Sequence, residues 1–387
     1  MNKTKTVLLV VLISLVVVAG IWYGISQQSK KAEQTKPLVI KIGALYPISG
    51  DLVDFTKGIK KGVEYAVADF KAEYPNVQVD LIVEDDRSCD KTAVATAMQK
   101  LVSVDRVQAV VGVMCSGNVM VAAPIAEQNK VLLMSGSASS KDISRLGDYI
   151  FRTYPSDEQR ARKAADFITQ KGYKKIAYIY ETENAAHVSA MEDVIKFLGA
   201  GIEVKPYGVS AKDLDFRTII NQIKQSNPDL VAFSLTSANQ NAILLKQLNE
   251  LRVAKPFFTI SETVQDNQTL AALNDKNDLV FTIFVPDESN LQYAELKGRY
   301  EGDTGANVNE VPQYLAENYD GTMIVLQALY QAKGDTVKAQ KIMYEIGKNY
   351  QGKSGVITFD VNGNVNKMPV LMTVKNGKFA LYEENNK

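Results

Sequence analysis

Histidine is almost missing from this chain: His187 is the only one in 387 residues. Zinc sites built on several histidines are thereby excluded, and any Ser-His-Asp triad or Cys-His dyad would have to use this one side chain. His187 itself reads as a surface residue. An excess of one charge is also missing. Forty-four basic residues balance 44 acidic ones, so there is no electrostatic footprint for nucleic acid. Cysteine is scarce, with only Cys89 and Cys115. In an oxidising compartment they would pair; in a reducing one they would be two free thiols. No catalytic constellation stands out either. Ser116 lacks a nucleophile elbow, and Asp85-Asp86 reads as a pair of loop acids that cap or face solvent. The expectation is a binding protein without a cofactor or metal, not an enzyme.

What is present begins with an apolar run over residues 7–25, preceded by Lys3 and Lys5. It is either a signal peptide or a membrane anchor; its length favours a retained anchor over a cleaved leader. Residues 26–37 are polar and read as a tether ending at Pro37. Either way the bulk of the chain is expected outside the cytoplasm.

From residue 38 on, short apolar runs alternate with helical patterns. Runs at 38–45, 77–83, 109–113, 131–134 and 149–154 read as strands, with helices at 55–74, 91–104 and 118–129 between them. The rhythm restarts after Pro155, with strands at 175–180, 202–207, 230–235, 256–260 and 279–285. Helices follow at 291–301, 311–333 and 337–346, and a β-rich tail has Asn-Gly turns at Asn362-Gly363 and Asn376-Gly377. This repetition predicts an α/β protein of two doubly wound, Rossmann-like lobes.

The stretch 85–140 carries the binding signal. The run 109–113 ends in Cys115-Ser116-Gly117 at the start of a helix, and the run 131–134 ends in Ser135-Gly136-Ser137-Ala138-Ser139-Ser140. Parallel sheets bind ligands beyond the carboxyl ends of their strands, where helix starts favour anions. Two neighbouring strand ends rich in Ser and Gly suit a small carboxylate; ordinary caps and tight turns would use the same residues.

Two motifs mislead. Gly347 to Ser354 matches the phosphate-loop pattern, yet a helix precedes it and a β-rich segment follows, which is the wrong polarity. It reads as a Gly-rich helix-to-strand loop. Asp360 to Asn364 resembles half a calcium loop, but Leu371 stands where the bidentate carboxylate belongs.

The segments KIGALYPISGDLVDFTKGIKKGVEYAVADF, EDDRSCD, VVGVMCS, MSGSASS, FRTYPSDEQ and SGVITFDVNGN occur in an order and spacing that resemble the type I periplasmic binding proteins, in the leucine/isoleucine/valine-binding branch of ABC-importer receptors. The resemblance covers nearly all of residues 39–381. It implies lobe I at 38–153 plus 284–359, lobe II at 154–283 plus 360–387, and three crossovers near Tyr154, Ile283 and Asp360 that form a hinge. It implies a disulfide between Cys89 and Cys115. Ser116 would grip a ligand carboxylate, Ser137, Ala138 and Ser139 would add backbone and hydroxyl contacts, Phe55 would line the pocket, and Glu262 would meet an α-ammonium. The family's lobe II tyrosine falls on Ala185, so Glu183 or Asn184 would take over its contact. The implied function is capture of a small amino acid, branched-chain-like or related, by a monomer that hands it to a permease and its ATPase. The alternative is a membrane-tethered sensor ectodomain acting through a partner protein.

Overall fold

A computed structural model describes residues 17–23, 37–53, 56–273, 278–284, 289–306 and 312–383. Residues 17–23 are helical with exposed side chains. Among the described residues, no helix is long and apolar enough to cross a membrane; most of the 7–25 run lies outside them.

The first sheet uses β1 (Leu38–Tyr46), β2 (Val77–Asp85), β3 (Ala109–Val111), β4 (Leu132–Ser135) and β5 (Ile150–Arg152), ordered β2-β1-β3-β4-β5 and parallel throughout. The intervening helices are α1 (Lys57–Glu73), α2 (Lys91–Gln99) and α3 (Ser116–Asn129). β3 and β4 are buried at every residue, which is why they read as continuous apolar runs rather than alternating ones. The order reverses between β1 and β3, and an open α/β sheet binds ligands at such a reversal. Ile59, Val63, Ala66 and Phe70 of α1 are fully buried, as their helical spacing predicts.

The chain then crosses to a second sheet of α/β units: α4 (Asp157–Gln170), β6 (Lys175–Glu181), α5 (Ala185–Leu198), β7 (Glu203–Val209), α6 (Arg217–Ser226), β8 (Leu230–Ser234), α7 (Ala238–Glu250), β9 (Phe257–Thr259), α8 (Asn267–Ala272) and β10 (Leu279–Ile283). It returns to cover the first sheet with α9 (Leu291–Thr304), α10 (Leu315–Gln331) and α11 (Thr336–Ile346), and adds a hairpin, β11 (Lys348–Gly352) with β12 (Gly355–Thr358). The last pair, β13 (Val370–Lys375) and β14 (Lys378–Leu381), completes the second sheet, ordered β14-β13-β10-β9-β8-β6-β7. Its β7-β6-β8-β9-β10 portion repeats the order of the first sheet. Each sheet carries an apolar cluster on both faces. The molecule is thus a pair of doubly wound lobes joined by three passages of the chain.

Buried Arg152 ties the third passage to the first lobe. Its guanidinium donates to Asn364 Oδ1 at 2.7 Å, Ser140 O at 2.8 Å and Ser144 Oγ at 3.1 Å, and its amide donates to Gly363 O at 2.9 Å. Gly363 has φ +70°, and a Cβ there would run into the Ile150 carbonyl oxygen, so only glycine fits.

Three local expectations change. The helix expected over 91–104 stops at Gln99 and continues as a π-helical turn, Lys100–Asp105, closed by Arg106 at φ +56°. The loop expected at 347–354 contains β11, because that segment folds back on β12 as a hairpin. The amides of Lys353 and Ser354 turn to the buried Asp320 carboxylate at 2.9 and 2.7 Å, leaving them no aim at a phosphate. Third, His187 is largely buried, for reasons that belong to the site.

Candidate functional site

The first lobe presents hydroxyls. Ser135 Oγ donates to Val113 O at 2.6 Å and accepts the amides of Ser137 and Ala138 at 3.4 and 3.0 Å. Ser116, the first residue of α3, accepts the amides of Ser139 and Ser140 at 3.2 and 3.1 Å. Four successive loop amides therefore fold back on two serines. A hydroxyl has two acceptor positions and one donor. With both acceptor positions of Ser116 filled, its O–H is what it has left to offer, at a helix start whose dipole favours an anion. Ser137 Oγ donates to Met114 O at 3.3 Å.

The loop beyond β2 braces this floor. Asp85 accepts the amides of Ile48, Ser49 and Arg87 and the Ser49 hydroxyl. Burial pushes its carboxyl up, but these bonds outweigh it and hold the pKa at about 2. Asp86 is fully buried and accepts Asn118 Nδ2 at 3.0 Å; burial pushes its pKa up. Cys89 and Cys115 bring their Cα atoms to 5.9 Å, the spacing a disulfide needs. Phe55 lies outside the described residues.

The second lobe presents charges. Glu262 follows β9 and is 6% exposed. Its Oε1 accepts the hydroxyls of Tyr154 at 2.9 Å and Tyr314 at 2.6 Å, and its Oε2 accepts Tyr154 at 2.7 Å and the Arg160 guanidinium at 2.5 Å. Arg160 Nη2 also donates to the Tyr154 hydroxyl, and Nη1 donates to Ile260 O at 2.8 Å. The guanidinium lies over the Phe284 ring, 4.7 Å from its centroid. Burial opposes the Arg160 charge, yet Glu262 more than offsets it and raises the pKa. Burial drives the phenols of Tyr154 and Tyr314 well above their usual range, so both remain donors.

Asp157 joins the two lobes. Its amide donates to Ser139 O at 2.8 Å, and its Oδ2 accepts the Ser139 hydroxyl at 2.6 Å. Its Oδ1 lies 3.6 Å from Arg160 Nε. A polar chain thus runs Ser116–Ser139–Asp157–Arg160–Glu262, from the floor of one lobe to the wall of the other. Tyr314, just before α10 of the first lobe, closes on Glu262 from the opposite side.

His187 Nδ1 is 3.9 Å from Glu181 Oε2, too long for a hydrogen bond, and its side chain is 13% exposed. Burial lowers its pKa to about 4; Asp157 pulls it up and Arg160 pushes it down. The surface reading fails because the first turn of α5 faces the Asp157–Arg160 cluster. Glu183 and Asn184 turn back onto their own lobe. Asn184 caps α5 through the Ala186 amide and donates to Thr236 Oγ1 at 2.8 Å, while Glu183 accepts the Ala211 amide at 3.2 Å.

The geometry therefore groups Ser116, Ser137, Ala138 and Ser139 in one loop cluster and links them to Glu262, leaving Glu183 and Asn184 outside the chain of bonds. Reading the sequence missed Tyr154, Asp157, Arg160 and Tyr314. The signal for Tyr154 and Asp157 was at hand, since both sit within the FRTYPSDEQ segment at the first crossover, whereas Arg160 lies just beyond it.

A family model described as periplasmic binding protein matches residues 39–378. A leucine-, isoleucine-, valine-, threonine- and alanine-binding protein of Pseudomonas aeruginosa is 26% identical over 359 residues, covering 89% of each chain. Among solved structures, a leucine binding protein of Thermotoga maritima has a TM-score of 0.78 at 23% identity, over 89% of this chain and 98% of that one. A solute binding protein of an ABC transporter from R. palustris, in complex with 4-hydroxybenzoate, has a TM-score of 0.77 at 20% identity, over 89% and 96%. The role that follows is solute binding, not catalysis. The matched span takes in nearly all of both sheets and every site residue described above, so the chain belongs to the periplasmic binding protein family.

Proposed function

We propose that this protein is an exported receptor that closes two lobes over a small carboxylate-bearing solute, an amino acid or a related acid, and presents it to an ABC permease and its ATPase. The observation that carries this reading is the buried polar chain from Ser116 to Glu262. Charges and donors withdrawn from water at a lobe boundary are what a solute cleft needs for charge-assisted recognition. The carboxylate would rest on the Ser116 hydroxyl and the α3 start, with Ser137, Ala138 and Ser139 beside it and Phe55 on the first loop. Lobe I would comprise 38–153 plus 284–359 and lobe II 154–283 plus 360–387, with closure about the three passages between them. Residues 1–25 would serve as leader or anchor and 26–37 as tether. A Cys89–Cys115 disulfide would hold the floor outside the cytoplasm.

The Pseudomonas relative is named for branched-chain and small amino acids, whereas the R. palustris neighbour holds an acid with no amino group. Calorimetry of the full chain in detergent with the twenty amino acids, their amides and small carboxylic acids tests the reading. Binding of at least one is expected, and silence across the panel overturns it. Ser116→Ala should weaken that binding by about 1–3 kcal/mol, the range for leaving a buried polar group without its hydrogen-bond partner. An unchanged affinity would remove Ser116 from the site.

A further inference from the structure

We propose that the solute carries no ammonium group, because Arg160 already stands where an ammonium would meet Glu262. This inference rests on the receptor reading above and narrows it. An ionised carboxylate offers about four lone-pair positions. At Glu262 two phenols and one guanidinium supply three donors: Tyr314 on Oε1, Arg160 on Oε2, and the single Tyr154 hydroxyl shared between both oxygens. The positive charge opposite Glu262 thus comes from the protein itself.

Arg160 is held through both terminal nitrogens and between two rings. It is 5% exposed, its Nη1 is held by the Ile260 carbonyl, and the Tyr154 and Phe284 rings lie 5.6 and 4.7 Å from its guanidinium carbon. An incoming ammonium would have to displace it and leave the buried guanidinium with only Asp157 Oδ1, 3.6 Å from its Nε, as counter-charge, which is unfavourable. An acid lacking an ammonium makes no such demand.

The same cluster indicates what the solute offers instead. Asp157 Oδ1 and Arg160 Nε are buried, 3.6 Å apart, and neither has a hydrogen-bond partner among the described residues. One is an acceptor and the other a donor. Buried polar atoms are ordinarily satisfied, and a neutral group that both donates and accepts would satisfy this pair. A hydroxyl does so; an ammonium, having no lone pair, cannot accept from Arg160. The geometry points to a hydroxylated or otherwise neutral-polar carboxylic acid, its carboxylate at Ser116 and its second polar group at Asp157 and Arg160.

Matched probes decide the matter. Calorimetry on the full chain would compare L-leucine with 4-methylpentanoate and 2-hydroxy-4-methylpentanoate, and L-tyrosine with 4-hydroxybenzoate. At least one acid without an ammonium should bind tenfold or more tightly than its amino counterpart. Comparable or tighter binding of the amino acid would overturn this inference and leave the receptor reading standing. Silence from the probes and from the wider panel would overturn both. Arg160→Met should release Glu262 and move the preference at least tenfold towards the amino acid. Arg160→Lys, which keeps the charge and guards against a variant that fails to fold, should retain the preference for the acid without an ammonium. An unchanged ratio in a folded Arg160→Met, or a Lys variant that prefers the amino acid, would show that Arg160 does not set the discrimination.

Discussion

The two lobes meet their shared boundary with different chemistry. The first offers neutral hydroxyls whose bonds run within a few residues of a strand end: Ser135 to the amides of 137 and 138, Ser116 to those of 139 and 140. The second offers buried charges whose partners are far apart in sequence: Arg160 with Glu262, and Glu262 with Tyr154 and Tyr314. A neutral floor can lose a bond and be rehydrated. A buried charge that loses its partner has no such recourse. The second lobe should therefore be the less tolerant of substitution, although both surround the same place.

The strongest test of that contrast is Glu262→Leu. It leaves the buried Arg160 guanidinium with only the 3.6 Å contact to Asp157 as counter-charge, and should destabilise the fold by about 3 kcal/mol, the low end for a broken buried pair. Urea unfolding would show this as a lower midpoint at unchanged slope. Adding Arg160→Met to Glu262→Leu should recover much of the loss, because the pair is then replaced by apolar groups of similar size. A Glu262→Leu protein as stable as the parent would erase the distinction between the lobes.

The lobes should also answer to pH with opposite signs. In the second, burial holds His187 at about 4, below its ordinary value, beside Asp157, Arg160 and Glu181. The unfolded chain then binds the extra proton first, so stability falls as pH drops from about 6.5 towards 4. In the first, burial raises Glu317 to about 7, opposed by Lys367 and assisted by Asp320 and Glu262. The folded chain keeps that proton longer, so stability is full below about 4.5 and is lost as pH rises through 7. One proton gives at most about 1.4 kcal/mol per pH unit, and the two slopes oppose one another in the parent. His187→Gln should expose the falling slope and Glu317→Gln the rising one, read from thermal melts between pH 4.5 and 7. Slopes of equal sign in the two variants would refute the assignment.

The same contrast explains what could be read from the chain in advance. The alternation of strands and helices was legible because parallel strands buried on both faces leave short Val-rich runs, and the serine floor was legible because its residues cluster at two successive strand ends rich in Ser and Gly. Arg160 was not, since nothing in Ser-Asp-Glu-Gln-Arg says that the arginine turns inward to a glutamate 102 residues away. His187 was misplaced for the same reason: its environment is made by the start of α4, not by its own neighbours on α5. The π turn after Gln99 and strand β11 were missed because each depends on how its segment closes against a neighbour.

The smallest effect expected lies at the rim, where the two chemistries touch. Lys141, in the turn after β4 of the first lobe, reaches Asp193 on α5 of the second at 2.7 Å and Glu192 at 3.6 Å. The Lys141 side chain is 28% exposed and Asp193 only 3%. A fully exposed pair contributes under about 1 kcal/mol, whereas stranding a buried carboxylate such as Asp193 costs more. Which of these applies depends on closure. If the lobes separate when empty, Asp193 is rehydrated in the open form, and losing Lys141 penalises only the closed one. Lys141→Met should then weaken solute binding by a few-fold to tenfold while leaving the unfolding midpoint of the empty protein within error of the parent. Added salt should weaken the parent more than the variant, because it screens a pair that only the parent has. An equal loss of stability without solute would mean instead that the lobes stay joined here at all times, and that this contact belongs to the fold rather than to the motion.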